Sequence, residues 1–286
     1  MKKSTQRILI ALFLGATLVW AVFFTWPSPD LEITFCDVGQ GDAALIQSPR
    51  HHQMLIDGGP SEKKILECLE KNMPFWDRKI EFVVLSHPHS DHLSGLIAVL
   101  NHYNVGQIIS TDVKVDSSLF QEWQDLIKKK HLPLEFAANL AALDLGGGAI
   151  ASIIYPQENF GEQKIDNLNN TSLVLRLEYK GVSCLFPGDA EKEEQEKILT
   201  LSPLPPLHSI IYKVPHHGSK NALEENFLET VAPQIAIISV GKENKYGLPK
   251  EELLSALKNR HIQIKRTDEN GTIKIKVKPD GKYTLN

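Results

Sequence analysis

The stretch Ser86-His87-Pro88-His89-Ser90-Asp91-His92 decides how the rest of the chain is interpreted. It follows an apolar, partly β-branched run over residues 80–85 that predicts a buried strand, and residues 93–100 after it predict the start of a helix. Imidazole and carboxylate groups are ligands that suit zinc, manganese or iron. A surface polar loop is the alternative interpretation, and three histidines within six residues after a buried strand disfavour it.

The spacing within this stretch suggests two ligand pairs. His87 and His89 stand two residues apart, so in an extended chain their side chains project the same way and are predicted to hold one ion. Asp91 and His92 lie where the chain turns into the helix and are predicted to reach a second ion. Asp91 is also a candidate catalytic group.

Length and charge limit the possible functions. The chain has 286 residues, of which 42% are hydrophobic, so it can bury a sizeable core. From Asp30 onward it carries 28 basic and 35 acidic residues, which is not the balance of a general nucleic-acid-binding protein. A phosphodiester substrate is still compatible with this balance, because two bound divalent cations would locally reverse the sign.

Residues 1–30 are predicted to be a membrane anchor, with an uncleaved or cleaved signal peptide as the alternative. The run 8–26 has 19 uncharged, mostly apolar residues, about 28 Å as a helix, which approaches the hydrocarbon thickness of a bilayer. Lys2, Lys3 and Arg7 precede it, so the N-terminus is expected to stay inside and the domain to face out. We therefore expect a single-pass protein of the cell membrane whose residues 31–286 form one extracytoplasmic domain.

Strand and helix patterns alternate through residues 31–286. Their order predicts two mixed sheets packed face to face with helices outside. The last two predicted strands, 262–266 and 272–277, are separated by Asn270-Gly271, which favours a tight hairpin. Cys36 and Cys184 lie in strand-like runs and are interpreted as small core residues, and the odd cysteine count argues against a full disulfide framework.

Further candidate ligands recur where strands end. Asp189 follows Gly188 before a helix, where it is either a helix N-cap or a carboxylate that bridges two ions. His216 and His217 are adjacent and would point apart on an extended chain, so one of them is expected to bind metal. His216 is the predicted ligand, and His217 is predicted to face the substrate or to orient a ligand.

These motifs resemble the metallo-β-lactamase superfamily, and more closely the hydrolase domain of the ComEC-type competence proteins. The resemblance spans residues 31 to about 276 and is carried by several motifs in order: Phe35 to Ala43, Leu55 to Gly59, His87 to His92, Asn170 to Leu173, Val214 to Ser219 and Arg266 to Gly271. It implies an α+β fold of four layers, αββα, with a dinuclear metal site. It also implies cleavage of phosphodiester bonds in DNA during DNA uptake.

The predicted reaction is therefore hydrolysis by a metal-activated hydroxide, with two divalent ions, zinc first and manganese or iron as alternatives. His87 and His89 would hold one ion, Asp91, His92 and His216 the other, and Asp189 would bridge them. Asp91 and His217 are the candidate catalytic residues. The side chains expected to orient the ligands are Asp37, Asp42, Asp57 and Asn170. For Asp37 and Asp42, the alternative is that they only brace the local turn.

Three features separate this chain from the pattern that it resembles. The channel-forming membrane segments of the family are absent, so any DNA-uptake channel would be a separate partner protein. Leu248 stands where many relatives carry a histidine, and Asn169 and Asn170 stand where the wider superfamily has a metal-binding histidine. A metallohydrolase on another ester, a lactone or a β-lactam, and a non-catalytic partner of a DNA-uptake channel, remain as alternatives.

Overall fold

The computed structural model describes residues 3–25 and 28–286. Helix α1 covers Lys3–Thr25, and its side chains at Ile8, Leu12 and Phe13 are exposed. Trp26, the last residue of the predicted membrane run, lies outside the described residues. Within the described part of the chain, no helix has the length and apolar character needed to cross a membrane, so the predicted transmembrane helix is not supported.

The globular part contains two sheets. The first has eight strands in the order β15-β14-β1-β2-β3-β4-β5-β6. Their bounds are β1 Leu31–Phe35, β2 Ala44–Gln47, β3 Gln53–Ile56, β4 Lys79–Val84, β5 Asn104–Ser110, β6 Leu134–Phe136, β14 Ile273–Val277 and β15 Tyr283–Leu285. Strands β3 to β6 are parallel to one another, whereas β1, β2, β14 and β15 pair antiparallel with their neighbours.

The second sheet has seven strands in the order β13-β12-β11-β10-β9-β8-β7. Their bounds are β7 Ala142–Asp144, β8 Ile150–Tyr155, β9 Val174–Tyr179, β10 Val182–Phe186, β11 Ile211–Lys213, β12 Ile235–Ile238 and β13 Gln263–Arg266. Strands β10 to β13 are parallel, and β7 to β9 are antiparallel.

Helices cover the outer face of each sheet. Their bounds are α2 Glu62–Asn72, α3 Ser90–His102, α4 Ser118–Lys129, α5 Lys192–Leu199, α6 Glu225–Val231, α7 Glu251–Asn259 and the short α8 Thr267–Asn270. One apolar cluster lies between the sheets, a second under α2 to α4 and a third under α5 to α7. The predicted four-layer αββα arrangement is therefore confirmed.

The parallel strands give the domain two distinct edges. Strands β1, β3, β4, β10, β11 and β12 all end at one edge, which we call the site edge, and begin at the opposite one, which we call the base edge. Each of the helices α2 to α7 runs from the site edge back to the base edge before the next strand begins. Every loop that follows a parallel strand is thus delivered to the same edge, where sites form in such sheets.

Glycines let α3 begin directly against the end of β3. A Cβ atom at Gly58 would come 2.5 Å from the backbone nitrogen of Leu96, and one at Gly95 would come 2.0 Å from the carbonyl oxygen of Gly58. The Gly58 N–H donates to the carbonyl of His92 at 2.7 Å. The sequence Asp57-Gly58-Gly59 therefore allows the close approach that brings His92 over Asp57.

The predicted hairpin at Asn270-Gly271 is wrong. Strand β13 pairs with β12 in the second sheet, while β14 pairs with β1 in the first. Residues Thr267–Asn270 form α8, and the Thr267 hydroxyl bonds the backbone of Val240. The connection crosses between sheets because these tertiary bonds outweigh the local turn preference.

A disulfide joins Cys36, after β1, to Cys68 in α2, so the interpretation of Cys36 as a plain core residue is wrong. Cys184 is free and buried, as expected of a small core side chain. The bridge closes a loop across 32 positions of sequence and fastens α2 over the site edge of the first sheet.

Removing this bridge should destabilise the domain. A loop of this length predicts a loss of about 4 kcal/mol in the free energy of unfolding for Cys68→Ala, because the unfolded chain regains conformational freedom. Urea unfolding with and without dithiothreitol measures the effect. The reductant should lower the midpoint of the wild type and leave that of Cys68→Ala unchanged; equal responses would show that the bridge contributes nothing.

Candidate metal centre

Two imidazoles of the loop after β4 face each other. His87 Nε2 and His89 Nδ1 lie 2.9 Å apart, and His87 Nδ1 lies 3.1 Å from the Ser86 hydroxyl. His87 is fully buried, and this burial lowers the pKa of its imidazole well below the ordinary value. Burial also lowers the pKa of His89. Both rings are thus neutral near pH 7, the state in which imidazole nitrogen binds a metal.

Asp57 orients His92 from below. Its carboxylate accepts the Ser86 N–H at 2.8 Å and the Ser86 hydroxyl at 2.7 Å, and His92 Nδ1 lies 2.8 Å from Oδ2. The remaining nitrogen, His92 Nε2, is buried and has no hydrogen-bond partner among the described residues. This nitrogen therefore faces the site, with the Asp57 carboxylate behind the other ring nitrogen.

Asp189 lies between the histidines. Its Oδ2 is 3.3 Å from His92 Nε2 and 3.7 Å from His217 Nε2, and its Oδ1 accepts the His216 N–H at 3.1 Å. The N-cap of α5 is Glu191, so Asp189 is not the helix cap that its position after Gly188 allowed. Burial opposes its ionisation, but the positive charges of His92 and His217 hold the pKa of Asp189 well below its ordinary value.

The turn after β11 directs the His217 ring into the site and the His216 ring away from it. His216 and His217 both have positive φ, 46° and 52°, a left-handed conformation that non-glycine residues rarely adopt. His217 Nδ1 donates to the Ser239 carbonyl at 2.9 Å, which leaves Nε2 3.2 Å from Asp91 Oδ2. His216 instead pairs with Glu191 at 2.9 Å. The structure brings His217, not His216, to the other candidate ligands.

A buried lysine completes the polar cluster. The Lys213 ammonium contacts Asp42 Oδ2 and lies 3.8 Å from Asp189 Oδ1. Asp42 Oδ1 is 3.4 Å from His217 Nδ1. Burial opposes the charge on Asp42, but Lys213 and His217 lower the pKa of its carboxyl. Asp42 thus joins the two sheets at the floor of the site, where it contacts an imidazole as the sequence suggested.

In the absence of metal ions, the positive charge within the site resides on the imidazoles of His92 and His217. Burial alone would lower the pKa of His92 and of His217, but Asp189 and Asp57 raise that of His92 well above its ordinary value, and Asp189 and Asp42 raise that of His217 to about 10. The hydrogen bond from His217 keeps the pKa of Asp91 low despite burial. Ionised carboxylates around buried imidazolium groups form a site that favours the binding of cations.

The remaining predicted residues lie outside this group. Asp37 accepts the Gly39 N–H at 3.3 Å and lies 3.8 Å from the Lys64 ammonium, so it braces the turn. Asn170 donates to Glu193 at 3.0 Å and accepts the Glu191 N–H. Leu248 is 9% exposed and belongs to the apolar cluster under α5 to α7. None of these three side chains meets the imidazole rings of the site.

Sequence reasoning missed Ser86 and Lys213. Lys213 is a charged residue at the end of the buried strand Ile211–Lys213, and such a position signals a paired charge. Its partner Asp42 is 171 residues away, so the pair could not be assigned from the sequence. Ser86 directly precedes the first histidine and bonds Asp57, but a serine before a polar loop carries no distinctive pattern.

A family model described as the metallo-beta-lactamase superfamily matches residues 36–242. The chain belongs to this superfamily. The matched region contains all of the residues that the structure gathers at the site edge. A metal-dependent hydrolase is what this fold and these residues suggest.

Curated superfamily relatives are competence and recombination proteins. The chain is 26% identical to ComE operon protein 3 of Bacillus subtilis (strain 168) over 97% of this chain and 37% of that protein. It is 25% identical to competence protein ComA of Neisseria gonorrhoeae, over 87% of this chain and 33% of that one. The chain thus spans about a third of the length of these relatives. The resemblance to ComEC-type competence proteins is confirmed.

Solved structures share the fold at low sequence identity. The metallo-beta-lactamase fold protein YhfI from Bacillus subtilis superposes with a TM-score of 0.53 and 13% identity, covering 84% of this chain and 96% of that one. CmlA, a diiron beta-hydroxylase from Streptomyces venezuelae, gives a TM-score of 0.51 at 12% identity, covering 84% of this chain and 53% of that one. These likenesses show the superfamily fold alone.

The side chains gathered at the site edge of this chain have the geometry to hold a divalent metal ion. Among the described residues, Asp91, His92, Asp189 and His217 offer ligand atoms that all lie within 4.8 Å of one another, as do Asp42, Asp57 and His92. The unpartnered His92 Nε2 faces the first group. Nitrogen and carboxylate oxygen donors in this combination suit divalent transition metals.

Proposed function

We propose that this chain is a metal-dependent phosphodiesterase that cleaves DNA, with residues 31–286 as its hydrolase domain. The observation that carries the proposal is the gathering of four histidines and two aspartates at one sheet edge: His87, His89, His92, His217, Asp91 and Asp189. Without a metal ion, protons on His92 and His217 compensate for the lost solvation of these carboxylates, and a bound cation would replace those protons.

We assign the ligands from the directions in which the rings face. His87 Nε2 and His89 Nδ1 would hold one ion, since these atoms converge. Asp91, His92 and His217 would hold the second, so His217 takes the role predicted for His216. The charge of Asp189 acts on His87, His89, His92 and His217, which supports its place between the two ions.

When bound, divalent ions supply Lewis acidity toward a phosphoryl group and lower the pKa of a water molecule. Zinc is the metal we propose, with manganese or iron as alternatives. The protein's part is positional. Asp57 and the Ser239 carbonyl fix the orientations of the His92 and His217 rings, and Lys213, 3.8 Å from Asp189, adds positive charge beside its carboxylate. Asp91 and His217 face each other where substrate would approach.

A DNA substrate is supported by the relatives, which are named as competence and recombination proteins. A separate DNA-uptake channel protein is the corresponding proposed partner. Leu248 packs in the apolar cluster under α5 to α7, so a leucine at this position does not disturb the candidate ligands. This favours an enzyme over a non-catalytic partner.

Turnover by the purified full-length chain tests the function. After chelation, the protein is supplied with zinc, manganese or iron and assayed on linear DNA, bis-p-nitrophenyl phosphate, a lactone and a chromogenic β-lactam. We expect hydrolysis of both phosphodiesters and none in Asp91→Asn, which keeps the side-chain shape but loses the charge. Faster turnover of the lactone or β-lactam would replace the proposal with another metallohydrolase, and no turnover would leave a binding partner.

Metal content distinguishes the two adjacent histidines. His217→Ala should lower metal affinity by about 10- to 100-fold or more, because a ring between Asp91 and Asp189 is lost. His216→Ala is the matched control and should retain two equivalents of metal in elemental analysis. The opposite pattern would restore His216 as the ligand.

We propose further that the domain lies outside the cytoplasm and is attached to the cell membrane through residues 1–30. The run 8–26, preceded by Lys2, Lys3 and Arg7, supports this attachment. The Cys36–Cys68 disulfide supports an oxidising compartment. Both features come from the chain itself and are independent of the relatives.

Protease added to spheroplasts should digest the domain if this location is correct. The positive charges before the apolar run are expected to remain inside, so residues 31–286 would be accessible without lysis. A cytoplasmic marker protein should survive the same treatment. Protection of the domain until lysis would place it on the inner side.

A further inference from the structure

An exposed aromatic ring stands at the site edge, in the loop between β12 and α7. Tyr246 is 68% exposed, and the loop runs from the end of β12 at Ile238 to the start of α7 at Glu251. Because β12 ends at the site edge, this loop belongs to the same edge as the candidate ligands. The proposed ligand assignment includes no side chain of residues 241–250, so the loop is free for another role.

Both ends of this loop are fastened to the neighbourhood of His217. The Ser239 carbonyl, two residues before position 241, accepts the His217 Nδ1–H at 2.9 Å. After the loop, the Lys250 N–H donates to the Gly218 carbonyl at 2.9 Å. Four residues of extended chain span at most about 14 Å, so Tyr246 cannot lie far from this anchor. A short oligonucleotide held at the metal centre can therefore reach the ring.

The loop also meets the first sheet. The Gly241 N–H donates to Gln40 Oε1 at 3.2 Å, and a Cβ atom at Gly241 would come 2.8 Å from the Gln40 nitrogen. Two residues after Gln40, the Asp42 N–H donates to the Asp91 carbonyl at 3.2 Å. Residues 241–250 thus border the site where both sheets contribute to it, rather than lying at the periphery of the domain.

One asparagine holds the loop in a defined shape. The Asn244 side-chain amide donates to the carbonyls of Gly241 and Leu248, both at 3.0 Å, and its Oδ1 accepts the Leu248 N–H at 2.8 Å. Lys250 Nζ donates to the Tyr246 carbonyl at 2.7 Å, and the Leu248 side chain is buried under α5 to α7. The Tyr246 ring is thus carried on a braced backbone, so a contact through this ring costs little conformational entropy.

The loop carries more positive than negative charge. Its charged residues are three lysines and one glutamate: Lys242, Lys245, Lys250 and Glu243. The side chains of Lys242 and Lys245 are exposed, and within residues 28–286 neither forms an ion pair with a carboxylate. Glu251 and Glu252 begin α7, where they complement the helix dipole, and Glu251 lies 3.5 Å from Lys258. Two ammonium groups therefore flank the aromatic ring and are available to an anionic ligand.

An exposed aromatic ring between free lysines, beside a phosphodiesterase site, complements a single nucleic-acid strand. Bases of a single strand stack on aromatic side chains while the phosphates follow positive charge. In a duplex each base is already stacked on its neighbours, so its faces are closed to the ring. The loop thus favours an unpaired strand over a double helix.

We propose that residues 241–250 bind single-stranded DNA, with the Tyr246 ring stacked on a base close to the scissile phosphodiester and with Lys242 and Lys245 on neighbouring phosphates. The inference rests on the proposed phosphodiesterase function and adds the form of DNA that the site takes. Every base has a face that can stack, so the surface selects unpaired bases without selecting a sequence. Tyr246 is a positioning residue in this role, since it does not touch the reacting atoms.

Strands with and without bases isolate the stacking. A short fluorescent DNA strand, and the same strand with tetrahydrofuran spacers in place of its nucleosides, are titrated with the purified full-length chain and followed by fluorescence anisotropy. A chelator keeps both strands intact during the titration. Turnover of single-stranded, spacer-containing and double-stranded DNA is then measured with supplied metal. Phe75→Ala, which removes an 83% exposed ring in the loop before β4, is the matched control.

We expect the strand with bases to bind the wild type about 5- to 150-fold more tightly than the spacer strand, the ratio for loss of a stacked base. Tyr246→Ala should remove most of this difference and leave the affinity for the spacer strand unchanged. Tyr246→Phe, which keeps the ring, and Phe75→Ala should both behave as the wild type. With metal, kcat/KM should be higher for single-stranded than for double-stranded DNA, and Tyr246→Ala should narrow this preference.

The lysines have a different signature. Replacing both Lys242 and Lys245 by alanine should weaken the binding of the two strands equally, because phosphates are common to both. Each phosphate contact to a single strand adds about 0.7 to the slope of log affinity against log salt, so the double variant should lower this slope by about 1.4. An unchanged slope would show that these lysines do not contact the phosphates.

Three results would overturn the stacking. The first is equal affinity of the wild type for the two strands, and the second is an undiminished difference in Tyr246→Ala; either would leave Tyr246 as a contact for a protein. The third is an equal loss for both strands in Tyr246→Ala, since the ring would then only support the loop. Base-dependent binding without turnover of any DNA would refute the proposed hydrolysis and leave the binding surface standing.

Discussion

Replacing Asp189 by alanine is expected to lower phosphodiester turnover by about 10³-fold or more and to reduce the amount of both bound metals. The carboxylate lies between His92 and His217 and acts on His87 and His89 as well, so both ligand groups depend on it. Loss of a shared metal ligand removes several kcal/mol of transition-state stabilisation, and 1.36 kcal/mol corresponds to a factor of ten. Steady-state kinetics with elemental analysis of the same samples measures both effects.

Asp37→Asn is the matched control, because this carboxylate braces a turn outside the ligand group. It should keep its metal and most of its turnover. Asp189→Asn preserves shape and serves as a second variant if the alanine protein does not fold. Should either Asp189 variant retain two full equivalents of metal, the bridge must be another residue.

The second large effect is on stability. Lys213→Met should destabilise the domain by about 3–5 kcal/mol, because Asp42 would be left as a buried carboxylate without its cation. Methionine approximates the length of the lysine stem, so little packing is lost. Chemical denaturation of the metal-free protein gives the free energy of unfolding directly.

A double-mutant cycle isolates the pair. Asp42→Asn combined with Lys213→Met should recover part of the stability lost in Lys213→Met alone, since neither buried charge is then unpaired. If the double variant is as unstable as the sum of the two single variants, Lys213 acts through packing and the ion pair contributes nothing.

The layer order was predictable because it follows from local patterns. Buried strands such as Lys79–Val84 and amphipathic helices such as Ser118–Lys129 show their period in the sequence. Strands β6, β7 and β15 were less visible, because each has only three residues, too few for a period to appear.

The details of the site depended on contacts that no local pattern records. The prediction of His216 as the ligand assumed that the chain is extended at this point. Both residues instead take a left-handed conformation, which turns the His217 ring toward the site. The pair of Lys213 and Asp42 and the bridge of Cys36 and Cys68 join distant segments. Residue types could be predicted here, but their partners required the fold.

The pairing of β1 with β14 carries a consequence for biogenesis. A chain synthesised from its N-terminus forms β1 to β3 and both bridged cysteines early, but β14 only with its last residues. Until then β1 presents an unpaired backbone edge on one side, the kind of edge that promotes aggregation during folding. Closure of the first sheet must therefore wait until synthesis is almost complete.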